Sequence, residues 1–272
     1  MSIENLFRAF GQAFGEAMAE NGKFKFDFDG SGWKGAKWKD GGWDEDEWDT
    51  LDSLDLEGAA PEALKIALSR SDTVKVKKGK KLAIKVEGDD SDGLRFRLTE
   101  DTLRIMRRGG SSGDTVIRVT MPAPRKIAIG GSGRVESETL AADAQLAIGG
   151  SGHINVAKAK GESLSVKIGG SGTVEASGSV AKLDLAIGGS GKLVAPELEV
   201  EEASIRIGGS GKARFASDGV VDAKVGGVGD IVVIGQPRCS LKAGGAGRIR
   251  CIPRDGTDNT DDDDFGPEVV TA

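Results

Sequence analysis

The chain has 272 residues, 42 of them glycine, with no tyrosine, one histidine (His153) and two cysteines (Cys239 and Cys251). That inventory excludes histidine-built metal clusters, elaborate His/Cys nucleophile arrangements and a disulfide-dense scaffold. The net charge of −6 argues against general nucleic-acid binding, and no motif calls for a cofactor.

At the N-terminus, Ile3, Leu6, Phe7, Phe10 and Phe14 share one helical face, which predicts an amphipathic helix over residues 1–22. Glu4, Arg8 and Glu16 interrupt any apolar run, so no secretory signal is legible. Nor does any stretch of about 18 apolar residues offer a membrane span. On the residues alone the chain is expected in the cytoplasm, with the helix capping the body of the protein or self-associating. Residues 23–60 read as a Trp/Gly/Asp-rich linker or sticky segment. Phe24, Phe26 and Phe28 alternate, and then Trp33, Trp38, Trp43 and Trp48 come at a spacing of five, which fits neither a helix face nor a strand face. Phe7, Phe10, Phe14 and the four tryptophans are the candidate partner-binding residues, for a protein, a second copy or sugar rings.

Residues 61–126 form an irregular β part. Runs at 73–77, 81–86, 93–98, 102–106 and 115–121 alternate apolar with charged side chains and are separated by Gly/Asp/Ser turns. This part is expected to continue into, and cap, a regular array that begins near residue 127. Its outward Lys and Arg side chains either block edge pairing or meet an anionic partner. The order of the first coils is not fixed by the pattern.

Residues 127–253 are dominated by a repeat. Ile-Gly-Gly-Ser-Gly begins at Ile129, Ile148, Ile168, Ile187 and Ile207, with degenerate copies at Val225 and Ala243, every 18–20 residues. Apolar columns at even offsets flank each glycine cluster. Two before it stand Ile127, Leu146, Val166, Leu185 and Ile205; six after stand Val135, Ile154, Val174, Leu193 and Ile231. Between them run mostly polar columns such as Arg134, His153, Thr173, Lys192, Lys212, Asp230 and Arg248. A period of two on both sides of the glycines means a strand, a corner and a second strand. One such coil cannot bury its own inward face, so the coils must stack. The fold class is all-β, a parallel β-solenoid about 30 Å long at about 4.8 Å per coil. Gly130, Gly149, Gly169, Gly188, Gly208, Gly226 and Gly244 mark the corners, where positive φ or lack of room for a Cβ is expected.

Cys239 and Cys251 fall in inward columns of the last coils, symmetric about a corner. They read as a buried thiol pair, or as a disulfide if the protein is exported. Residues 254–272 are acidic and poor in apolar side chains, and are expected to be disordered. Charge is segregated along the chain: net −8 over 1–72, +7 over 73–126, +1 over 127–251 and −6 over 252–272.

A basic alternating segment leading into Thr120-Met121-Pro122, tandem glycine-serine-glycine coils and a closing coil bracketed by Cys239 and Cys251 resemble the bacterial head GIN domain family over about residues 63–252. The family carries an auto-transporter adhesin label. The resemblance implies a β-helical fold and a place at the cell envelope, and it transfers no catalytic residue. The expectation is a non-enzymatic structural or interaction protein, an adhesin-like rigid scaffold for protein association. The alternatives are a carbohydrate-binding β-helix and a scaffold that polymerises through its solenoid ends.

Overall fold

The computed structural model describes residues 48–68, 72–88, 91–108 and 114–254. The helix expected over 1–22, most of the Trp-rich segment and the acidic tail lie outside the described residues. Among the described residues, sixteen strands form one continuous sheet. The first six are β1 (Ala63–Ala67), β2 (Thr73–Lys78), β3 (Ala83–Glu87), β4 (Leu94–Leu98), β5 (Thr102–Arg107) and β6 (Val116–Met121). The coils of the repeat are built from β7 (Lys126–Ile129), β8 (Arg134–Ser137), β9 (Asp143–Ile148), β10 (His153–Ile168), β11 (Thr173–Ile187) and β12 (Lys192–Ile207). They continue through β13 (Lys212–Val225), β14 (Asp230–Ile234), β15 (Arg238–Ala243) and β16 (Arg248–Ile252).

From β7 onward each coil pairs in parallel with the next, and motif residues pair with motif residues: Ile129 with Ile148, Ile148 with Ile168, Ile168 with Ile187, Ile187 with Ile207. The inward columns are therefore continuous apolar ranks. Ile127, Leu146, Val166, Leu185 and Ile205 line one side, and Val135, Ile154, Val174, Leu193 and Ile231 the other, all buried. Leu140, Ala159, Val180 and Leu198 close the third side. Size is matched between coils, since the buried Phe215 ring lies in register with Ala195 below and Val233 above. The variation in coil length is absorbed on the third side, where the register slips between Val156 and Ala159, Glu175 and Gly178, and Ala195 and Glu199.

The corners differ from the expectation in one respect. Among the described glycines only Gly58, Gly88, Gly178 and Gly235 have positive φ, and none of these lies in a motif corner. The second and last glycines of the motif, rather than the first, are required by contact between coils. The ladder continues through each corner, with Gly149 N–H donating to the Ile129 carbonyl at 2.8 Å and Ser151 N–H to that of Gly131 at 3.2 Å. A Cβ on Gly150 would overlap the Gly131 carbonyl oxygen of the coil beneath. A Cβ on Gly172 would come within 2.5 Å of Ile148 Cγ2. The motif's isoleucine and its last glycine are thus complementary partners in adjacent coils, which explains why they recur together.

The first coils are laid down out of sequence. β1 lies between β5 and β7, and β2 between β6 and β8, all in parallel. The chain builds its second coil first, leaves it through β3 and β4, builds the outermost coil with β5 and β6, and then returns at β7. β3 runs antiparallel to β6 and β4 antiparallel to β5. Asp49 bridges Phe96 on β4, and Leu51, Leu54, Leu56 and Ala59 pack against the core, so this end is covered. Asp72 and Arg107 fasten the swapped coils. Both side chains are buried, with Arg107 Nε donating to Asp72 Oδ2 at 2.7 Å and Arg107 Nη2 to Thr115 Oγ1 at 3.0 Å.

Candidate functional site

Of the sequence-derived partner-binding residues, Phe7, Phe10, Phe14, Trp33, Trp38 and Trp43 lie outside the described residues. Trp48 is half-buried and immediately precedes the Asp49 bridge to β4. Gly130, Gly149, Gly169, Gly188, Gly208, Gly226 and Gly244 each open a corner and donate their N–H groups to the neighbouring coil.

Cys239 and Cys251 occupy inward columns, in register with Val221 and Val233. They are nevertheless exposed, because among the described residues no coil stacks beyond theirs. Both thiols are free, with the sulfurs 3.0 Å apart. The Cys239 thiol is pushed up to about 12, first because its sulfur sits against the coil interior and then because Cys251 lies beside it.

The strand that succeeds each corner carries the most distinctive outer surface. Alternate residues point out from it, so parallel pairing stacks them into two columns. One runs Arg134, His153, Thr173, Lys192, Lys212, Asp230, Arg248 and the other Glu136, Asn155, Glu175, Val194, Arg214, Val232, Arg250. In the early coils the acids are answered locally. Lys75 Nζ lies 3.0 Å from Glu136, His153 Nε2 3.3 Å from Glu175, and Asn155 Nδ2 donates to Glu175 at 2.8 Å. In the last four coils the two columns hold Lys192, Lys212, Arg214, Arg248 and Arg250 against a single acid, Asp230.

Asp230 is buried at 6% exposure, and neither carboxylate oxygen has a hydrogen-bond partner among the described residues. The nearest guanidinium nitrogens, Arg248 Nη2 and Arg250 Nη2, stand at 3.9 and 4.0 Å, too far for a hydrogen bond. Burial therefore raises the carboxyl above its usual range, outweighing the pull of Arg250, Arg248 and Lys212. Arg214 Nε and Arg250 Nε are also buried without partners. Val232 faces outward yet is 2% exposed, in register between Arg214 and Arg250, whose long stems cover apolar surface. The arrangement is a cationic ladder in which two buried donors, Arg214 Nε and Arg250 Nε, are unfilled among the described residues. Sequence reasoning identified its first column as mostly polar or charged, without reading a net sign, and missed the second. The signal lay across coils, in residues 18–20 apart, rather than along the chain.

Among the described residues, no three His, Cys, Asp or Glu side chains converge as a metal site, and no helix is long and apolar enough to cross a membrane. A comparison with curated proteins finds no match. Several solved structures share the fold, three of them as follows. A "putative adhesin" from Bacteroides fragilis is 22% identical, with 71% of this chain and 94% of that one covered at a TM-score of 0.62. A "putative lipid binding protein" from Parabacteroides distasonis is 21% identical, with 71% and 93% covered at 0.56. A "putative adhesin" from Parabacteroides merdae is 16% identical, with 71% and 92% covered at 0.53. The family model described as "Putative auto-transporter adhesin, head GIN domain" matches residues 64–237, and the chain belongs to that family.

Proposed function

We propose that this chain is a non-enzymatic interaction protein of the cell envelope, whose solenoid presents a rigid face for association with an acidic protein segment. The observation that carries this reading is the cationic ladder of Lys192, Lys212, Arg214, Arg248 and Arg250, which holds a single buried acid, Asp230, beside Lys212, Arg248 and Arg250. One carboxylate offsets at most one of these five positive charges, so the face keeps a net positive charge for an acidic partner. The in-register coils supply the rigidity, holding each cation about 4.8 Å from the next coil. The auto-transporter adhesin description of the family supports the envelope and adhesion setting.

The test is binding of fluorescent poly-glutamate to the full-length chain by anisotropy, with polygalacturonate and neutral dextran alongside. Lys192→Ala with Arg214→Ala is expected to weaken poly-glutamate binding about tenfold, and binding should fall with salt, as screened charge pairs do. Unchanged affinity in the variant would sink the reading. Preference for the polyuronate would move it to the carbohydrate-binding alternative.

A further inference from the structure

We propose that residues 255–272 fold back over the C-terminal end of the solenoid and act as its cap. The two ends of the stack are unlike. The end at β4 and β5 is covered by antiparallel strands and by the leucines of residues 51–56. At the other end, among the described residues, β15 pairs only with β13 and β16 only with β14. Every residue of β15 is exposed except the half-buried Leu241, and its inward positions Cys239 and Ala243 face no further coil. Among the described residues, such an end offers unpaired backbone groups and the apolar rims of Leu241 and Ile249.

Charge names the occupant. Residues 231–254 contain five basic side chains, Arg238, Lys242, Arg248, Arg250 and Arg254, and no acid. Residues 255–272 contain seven acids and no base. The opposite charges meet where the tail leaves the coil. Arg254 is held at that exit by Glu199 and Asp218, each at 2.9 Å. Asp261 to Asp264 begin seven residues beyond it, a reach of about 23 Å, which spans the last coil's strands of about 17–20 Å. Phe265, Val269 and Val270 supply apolar groups for Leu241 and Ile249. A second copy docked end to end would instead oppose two coils that both lack acids.

The experiment is hydrogen exchange on the full-length chain at 20 mM salt, reading amides of 238–252, with 183–207 as an internal control. In the variant with Asp261, Asp262, Asp263 and Asp264 all replaced by Asn, exchange over 238–252 is expected to be about tenfold faster than in wild type. Wild type in 1 M NaCl should match the variant, because the screening length falls to about 3 Å. Arg238→Glu with Lys242→Glu should give the same loss from the other partner, and 183–207 should not change in any sample. Equal exchange in wild type and the tail variant would overturn the proposal, as would an effect from the tail variant without one from the end variant. So would a concentration-dependent dimer that Arg238→Glu dissociates. The poly-glutamate test reads Lys192 and Arg214 instead, so the two proposals fail separately.

Discussion

Two neighbouring glycines in one corner should respond in opposite ways to the same added methyl group. A Cβ on Gly226 would find the Ile207 carbonyl oxygen at 4.0 Å, ordinary contact, and its φ is not in the left-handed region. A Cβ on Gly227 would overlap the Gly209 carbonyl oxygen and stand 2.8 Å from that of Gly208. Both obstacles are backbone and cannot rotate away. Overpacking of this kind costs about 1–3 kcal/mol. Lifting the corner also loosens the 2.9 Å bond from Val228 N–H to the Gly209 carbonyl, another ~1 kcal/mol. Gly227→Ala is therefore expected to destabilise by about 3 kcal/mol. Gly226→Ala should be neutral or stabilising by up to ~1 kcal/mol through the unfolded chain. Urea unfolding followed by circular dichroism measures the difference. Hydrogen exchange then localises it, since stacked repeats need not unfold all-or-none. If the two variants fall within about 0.5 kcal/mol of each other, coil-to-coil contact is not what demands glycine here.

Arg107→Ala strands the buried Asp72 carboxylate and is expected to cost about 3–5 kcal/mol, read as a lowered urea midpoint; a loss under about 1 kcal/mol would mean that the pair does not fasten the swapped coils. Oxidised glutathione is expected to join Cys239 and Cys251, the two thiols giving up two hydrogens to yield two molecules of reduced glutathione. The closed loop should add about 3 kcal/mol of stability, and the rate should rise with pH because a thiolate must form. Intact mass under non-reducing conditions checks this, and retention of both thiols in the folded protein would refute it.

The regular coils were legible because one strand's period-two pattern, repeated at a fixed interval, specifies both an inward face and its neighbour. Val135, Ile154, Val174 and Leu193 form a column on spacing alone. The early part yielded strands without partners. Alternation in 81–86 or 93–98 marks a strand but carries no direction, so the antiparallel return of β3 and β4 could not be read. Nor could the insertion of β1 between β5 and β7, and β1 itself, Ala63–Ala67, was not among the runs picked out. Its five residues hold a single polar side chain, Lys65, too little alternation to stand out. The columns also placed Cys239 and Cys251 inward, but burial depends on a further coil that the described residues do not contain. The cationic ladder was hidden for the same reason that the core was visible, since it exists only across coils.

In the parallel stack, the backbone bonds point along the axis. Tension applied between the two ends would therefore load the bonds between successive coils in series, one interface at a time. Under load such a rod is expected to peel coil by coil from its weaker terminus, each freed coil releasing 18–20 residues of slack, while a sideways push meets the packed interior of the whole array. A protein built this way would lengthen under pull in small increments and still hold its remaining coils in shape.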